Sequence, residues 1–595
     1  TDIYRLMRDQ LKPGFEDVAS WWWHTSLLSG PRTAIKNASS NAINIVDKPL
    51  ETLGAAAVER LRGVPTAQRQ AFAGEAGRQI YGAVAGLKPA LKKARYMWDH
   101  GYAMRNVENM EFRPPEIPGG KATNWVGRSL GFVDEFASTL GSEMEKHGLA
   151  YSRAKKAGLT GQAKADFITD LLANPDYDFV NSVAKAGKRA VFQQKTGRLN
   201  AAALALRDGL NFGRKFGIGT LLMPFLKIPL TVIKTNFEWS PAGFLMTGGM
   251  KGRDLALARG RAAAGSAIML PVAAAIRSGD LEITGALPED PSERAKFLAE
   301  DKTPYSIKIA GRWVSLQYLG VHGMMIGMTN DTIQAFKKAP DEQSIADTLM
   351  RAGFAVAQTA VGANAALTGI QTMMDIIHDP ERNLARFRAN IGRGAVPFGG
   401  LIKEFNTWID PTVRRPKGFL EGFAANVPGL DETVEPVLTA EGTKAQRAKS
   451  PFPADKPEDP LYAEMKRSGA NFAPPQSESE LEYKGEKFKL STEQDFQRRQ
   501  QIGQEHAAKL RELTASPEWT EASDAEKKRV ADLIQSRISA KVNAEFRRAA
   551  GSKEKLRDPG AALDTWGQDA SDAELLFDPD AEPGTIEAEM EKLGV

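Results

Sequence analysis

Through the first 410 residues, apolar side chains recur at spacings of three and four among Ala, Leu, Lys, Arg, Gln and Glu. That period and those residue types belong to amphipathic helices. The pattern predicts helices near 5–28, 32–62, 65–108, 124–157, 161–172, 180–235, 242–278, 323–337 and 343–378. Breaks are expected at Arg113 to Lys121, which holds Pro114, Pro115 and Pro118, and around Pro288 to Pro291. Apolar and polar residues alternate instead along Tyr305-Ser306-Ile307-Lys308-Ile309. Ala310-Gly311 can turn the chain there, and Arg312 to Leu316 follows with β-branched and aromatic content, so a hairpin lying against helices is expected.

After about Pro411 the pattern changes. Residues 411–490 are rich in Pro, Lys, Glu and Asp, with Pro451, Pro453, Pro457, Pro460, Pro474 and Pro475 among them. Such a stretch has too little apolar surface to fold independently and should run extended along a partner or its own helices. A polar helical segment returns near 491–550, and Gln568 to Val595 carries nine acidic residues and one Lys, as in a solvated tail. The expected class is all-α: an elongated multi-helix protein with one small β-hairpin and an extended C-terminal arm rich in Pro and charge. Its regions are 1–112, 122–280, 281–410, 411–490 and 491–595.

Near the N-terminus Trp21, Trp22 and Trp23 precede Gly30-Pro31, where a helix begins with Pro in its first turn. The tryptophans suit either a core anchor or a membrane-interface anchor. Along that helix Thr33, Asn37, Asn41, Asn44 and Lys48 fall on one face. Asn is a poor helix-interior residue, so the stripe needs a reason. Its amides could bond neighbouring backbones, or Asn37, Asn41 and Asn44 could form a subunit contact or line a polar channel.

Four stretches are unusually free of charge. Phe216 to Phe237 is interrupted by Lys227 and Lys234 and bent by Pro224 and Pro229; Leu221, Leu222, Phe225 and Ile228 are its candidate membrane contacts. Ala262 to Ile276, with Ile268 and Leu270, would span roughly 22 Å as a helix, short of a bilayer's apolar core. Trp313 to Asn330 is rich in Gly. Ala352 to Met374 is long enough to cross a bilayer but carries Asn364, Thr368 and Gln371, candidate channel or oligomer contacts. Each run reads as a buried core helix, or as one that inserts or lines a pore in another state. A basic run (Lys185, Lys188, Arg189, Lys195, Arg198, Arg214 and Lys215) leads into the first of them. It is either a solvated face or a contact for lipid head groups or DNA phosphates.

Composition narrows the chemistry. The 595 residues hold 78 Lys+Arg against 74 Asp+Glu, a net +4 that does not argue for a dedicated nucleic-acid binder. There is no cysteine, so disulfides, thiolate metal sites and cysteine nucleophiles are excluded. The six histidines are scattered, without zincin spacing. No phosphate-binding loop of the Walker type and no Gly-x-Ser-x-Gly elbow occurs. Gly392-Arg393-Gly394 with Gly399-Gly400 lacks a preceding strand and reads as a flexible corner. No catalytic, metal or cofactor residues are expected, and no enzymatic activity. The start at Thr1 rather than Met is expected to reflect removal of an initiator Met or processing, and no secretory signal opens the chain.

Several blocks resemble, in shared order, large bacteriophage internal virion proteins delivered with the genome. They are Ser26 to Glu51 (SLLSGPRTAIKNASSNAINIVDKPLE), Met223 to Phe244, Thr303 to Gly320, and Asp459 to Pro475 followed by KLSTEQDFQRRQQIGQEH. The resemblance implies a DNA-ejection protein stored near the portal inside the capsid. Such proteins leave through the tail before or with the DNA and build a conduit across the host envelope. It implies a homo-oligomer, partnership with other phage ejection proteins and with portal or tail proteins, non-specific contact with phage double-stranded DNA, and contact with the host membrane. Relatives joined to peptidoglycan-cleaving or polymerase domains have counterparts to neither in this sequence. Competing expectations are a passive portal- or tail-associated virion protein and a co-injected anti-defence factor.

Overall fold

The computed structural model describes residues 14–101, 117, 119–193, 198–214, 216–224, 227–285, 297, 302, 304–309, 312–319, 322–323, 325–327, 329–330, 333, 380–446, 459–470, 472–478, 480–483 and 486–552. The class is all-α with small β additions. Its first part comprises α1 (Phe15–Leu28), α2 (Pro31–Leu61), α3 (Ala73–His100), α4 (Gly120–Lys156), α5 (Gly161–Ala173), α6 (Tyr177–Ala190), α7 (Arg198–Leu210), α8 (Ile218–Leu222), α9 (Lys227–Glu238) and α10 (Gly252–Ser278). Local chemistry sets several ends. Pro31 opens α2, where its missing N–H has no intrahelical partner to lose. Asp176 caps α6 by accepting the Phe179 N–H at 2.8 Å, and Gly101 closes α3 in the left-handed conformation.

The body is held by close helix pairs: α3 along α4, α2 along α10, and α6 against α4. Small residues permit this. At the α2–α10 crossing, a Cβ placed on Gly260 would lie 2.2 Å from the Glu51 carbonyl oxygen, and one on Gly54 2.3 Å from that of Gly260. Only glycine lets these backbones meet.

Beyond the body, β1 (Ser306–Ile309) and β2 (Arg312–Ser315) form the expected antiparallel hairpin, with Ile307 opposite Val314. Then come α11 (Pro380–Gly394), α12 (Gly399–Ile409), α13 (Phe419–Ala424), α14 (Pro460–Ser468), the hairpin β3 (Glu480–Tyr483) and β4 (Glu486–Lys489), α15 (Thr492–Thr514), α16 (Pro517–Glu521) and α17 (Asp524–Ser552). Leu461, Met465, Phe472 and Leu481 share one apolar cluster with Ile502, Leu510, Leu513, Trp519, Ile534, Ile538, Val542 and Phe546.

Several expectations need correction. The helix expected over 180–235 is divided among α6, α7, α8 and α9, interrupted where Gly213, Gly217 and Pro224 lie. The one expected over 65–108 runs only from Ala73 to His100, after a 3-10 turn at Thr66–Gln68. Within 411–490 the described chain is not simply extended: it contains α13, α14 and a second hairpin, and its apolar residues enter the cluster of α15 and α17. A boundary at 490 therefore cuts through one core. The corner expected at Gly392 to Gly400 falls at 395–398, between α11 and α12; Gly392 and Gly394 themselves lie in the last turn of α11, with Trp23 packed against Gly394. The expected helix 343–378 and the acidic segment 568–595 lie outside the described residues.

Candidate functional site: a charged interior

Six helices converge on four cations and four carboxylates. Arg261 on α10 pairs with Glu51 of α2 and, at 3.1 Å, with Glu238 of α9, which also holds Arg189 of α6. About two helical turns away on α10, Arg253 pairs with Glu75 of α3 and, at 3.0 Å, with Glu145 of α4. Lys48 joins the two groups, 3.3 Å from Glu51 and 2.9 Å from Glu145. Apart from Arg189, these side chains are nearly all withdrawn from solvent.

Burial drives each carboxyl toward neutrality, and the neighbouring cations oppose it with different success. Burial pushes Glu51 up, but Lys48, Arg261 and Arg189 outweigh it and bring it down to about 2. Glu145 and Glu238 are lowered in the same way, the first by Arg253 and Lys48, the second by Arg189 and Arg261. For Glu75 burial wins over Arg253, and its carboxyl is raised. Breaking one partner of such a network strands a buried charge, so it fixes helix register more than it adds net stability.

Two further groups border it. His322 bonds the buried Asp47, whose carboxyl is raised by burial in spite of that bond, and Trp239 meets the His322 ring edge-on at 5.2 Å. On α4, Asp134 accepts the side-chain amides of Asn37 at 3.2 Å and Asn41 at 3.0 Å; burial nevertheless raises it to about 6. Asn44 donates to the Ala190 carbonyl at 3.1 Å. The Asn stripe thus bonds groups within the chain, in line with the reading in which its amides serve neighbouring segments.

The candidate membrane contacts scatter. Trp21 and Trp23 are buried, Trp21 edge-on to Phe398, so both serve the core rather than a surface. Trp22 is partly open, and its ring N–H donates to the Ala395 carbonyl at 3.1 Å. Leu222 is buried and Leu221 half-buried. Ile268 packs with Phe192, Trp239 and Met325, while Leu270 on the same helix is 66% exposed. Phe225 lies outside the described residues, as does the side chain of Ile228. No helix among the described residues is long and apolar enough to cross a membrane.

The basic run is not one surface. Arg189 turns into the charged interior; Lys185 is exposed near Asp254, at 3.9 Å; Lys188 is half-buried and Arg214 exposed. Lys195, Lys215, Asn364, Thr368 and Gln371 lie outside the described residues, and so does the side chain of Arg198. Sequence reasoning missed Glu75, Glu145, Glu238, Arg253 and Arg261. Charges on a helix mark its solvent face by default, and only tertiary packing reveals that these point inward. No grouping of three or more His, Asp or Glu suited to a metal occurs among the described residues. Comparison with protein-family models, curated proteins and solved structures returned no match.

Proposed function

We propose that this chain is a bacteriophage virion ejection protein, stored in the capsid or portal–tail region and redeployed as an oligomer that helps carry the genome across the host envelope. Its partners in this reading are other ejection proteins, portal or tail proteins, phage double-stranded DNA and the host membrane, and it performs no catalysis. The ordered sequence blocks support the family. One structural observation carries the redeployment: among the described residues, helices of the body meet through a buried ion-pair network and glycine contacts as well as through several small apolar clusters. Helices parted at the ion-pair network present charged faces to water. Lack of cysteine leaves nothing to mispair in an oxidising compartment. The test is a particle lacking this chain but otherwise complete. Its DNA should stay outside the host cytoplasm; delivery at the normal rate would end the proposal.

Exposed Phe405, Trp408, Ile409 and Leu420 favour a second reading, a passive role docked against a fixed portal or tail neighbour. Labelled protein that never appears in infected cells would select it.

A further inference from the structure

Helix α3 is built the wrong way round for a helix that ends at its own body. Its inner face against α4 is made of small residues, Ala76, Gly82, Gly86, Ala90 and Ala94. Its large aliphatic residues Ile80, Val84, Leu87 and Leu91 point outward, each between 50% and 64% exposed. They repeat at four, three and four residues, which keeps them in one seam about 17 Å long. Tyr81, 54% exposed, flanks the seam and meets His147 of α4 edge-on at 5.2 Å.

Charge around the seam has one sign. Arg78, Lys88, Lys92 and Arg95 are exposed on α3. The helix has two acids. Glu75 turns inward to Arg253, and Asp99 lies at the far end with Lys121 and Arg95. Neither Lys88 nor Lys92 has an ion-pair partner among the described residues. A second copy of the same face would set cations against cations. An anionic surface satisfies both features, taking the aliphatic seam into its apolar layer while its phosphates meet the lysines.

We infer that the outer face of α3 is a membrane-docking surface on which Ile80, Val84, Leu87 and Leu91 enter the interface of an anionic bilayer and Lys88 and Lys92 engage its headgroup phosphates. The helix lies flat and does not span. This deepens the delivery reading and rests on it for the identity of the bilayer.

The experiment uses the full chain with vesicles of phosphatidylcholine, alone or mixed with phosphatidylglycerol. Wild-type protein should bind the mixed vesicles more tightly, and added salt should weaken that binding. Triple replacement Val84→Gln, Leu87→Gln and Leu91→Gln should lower affinity by roughly tenfold or more. Lys88→Glu with Lys92→Glu should abolish the preference for anionic lipid. Because the chain has no cysteine, Leu87→Cys takes a single environment-sensitive dye, whose emission should shift to the blue on mixed vesicles. The inference is overturned by wild-type binding indifferent to lipid charge, by undiminished binding of the triple variant, or by a dye that stays in water. An oligomer lost in the triple variant while vesicle binding persists also overturns it and makes the seam a subunit contact. A deletion particle that still delivers DNA, with vesicle docking intact, would remove the delivery reading and leave this surface standing. Failed docking beside a blocked deletion particle would do the reverse.

Discussion

The body formed by α2, α3, α4, α6 and α10 and the module formed by α14 to α17 solve the same packing problem with different emphasis, small apolar clusters around an ion-pair network in the first and one larger apolar cluster in the second. In the body, α2 and α10 cross on Gly54 and Gly260 beside Glu51 and Arg261. In the module, Leu510, Val530, Ile534, Ile538 and Val542 share an apolar cluster with Trp519, whose ring N–H donates to Glu464 at 2.8 Å. Apolar packing tolerates shifts of register, whereas paired buried charges demand one register, and each region answers to acid only through the groups it buries. The two regions should therefore fail differently.

The sharpest contrast comes from removing one partner. Arg261→Met leaves Glu51 and Glu238 without their shared cation, and the body should lose about 3–5 kcal/mol. Denaturant unfolding, followed by a probe in each region, should register that loss in the body only. Ile538→Ala makes the complementary cut. It should cost the module about 2–5 kcal/mol through transfer and cavity terms, with no change in salt or pH response. An Arg261 variant that unfolds at the wild-type denaturant concentration would erase the distinction.

Acid separates the regions next. His506 on α15 is buried against Phe472, and burial lowers it to about 4 in spite of a backbone hydrogen bond to Ala531. A base whose folded pKa is depressed takes up a proton more readily when unfolded. The module should thus be fully stable above about pH 6.5 and lose about 3 kcal/mol as pH falls to 4. Glu51 behaves differently. Its stabilising contribution is present above its unfolded value near 4.5 and is lost only as pH falls toward 2. Between pH 6.5 and 4.5 the module should loosen while the Glu51 pairs hold, and His506→Gln should flatten the module's profile. Melting followed region by region across that interval would check both.

How far the sequence discloses all this depends on the physics of each feature. The helices from Pro31 to Lys156 were legible because their periodicity is long and their ends carry Pro and Gly. The hairpin at Ser306–Ile309 followed from alternation. What could not be read was direction. Lys48 and Glu51 look like surface charges until α4 and α10 cover them, and Trp21 and Trp23 suit core or lipid until α11 and α12 close over them. Leu461, Met465 and Phe472 sit in a Pro-rich, charged stretch whose local composition argues against a core, yet they gain one from α15 and α17. The seam on α3 is lost in the general helical periodicity, and only the packing of the opposite face on α4 reveals that it faces outward.

The smallest effect tests the same contrast with the sign reversed. Asp134 is raised by burial to about 6, although the amides of Asn37 and Asn41 both donate to it. An acid with a raised folded pKa prefers the fold when protonated. Its contribution is therefore most favourable at low pH and becomes a cost as pH rises from about 4 through 6. Because the residue keeps some solvent exposure, that cost at neutral pH is about 1–2 kcal/mol. In Asp134→Asn the side-chain oxygen can still accept both amides while the charge is gone. This variant should melt higher than wild type at pH 7 and equal it near pH 4, the mirror image of His506→Gln. A drop in melting temperature at pH 7 would mean that the charge on Asp134 organises the Asn stripe and that the body depends on it.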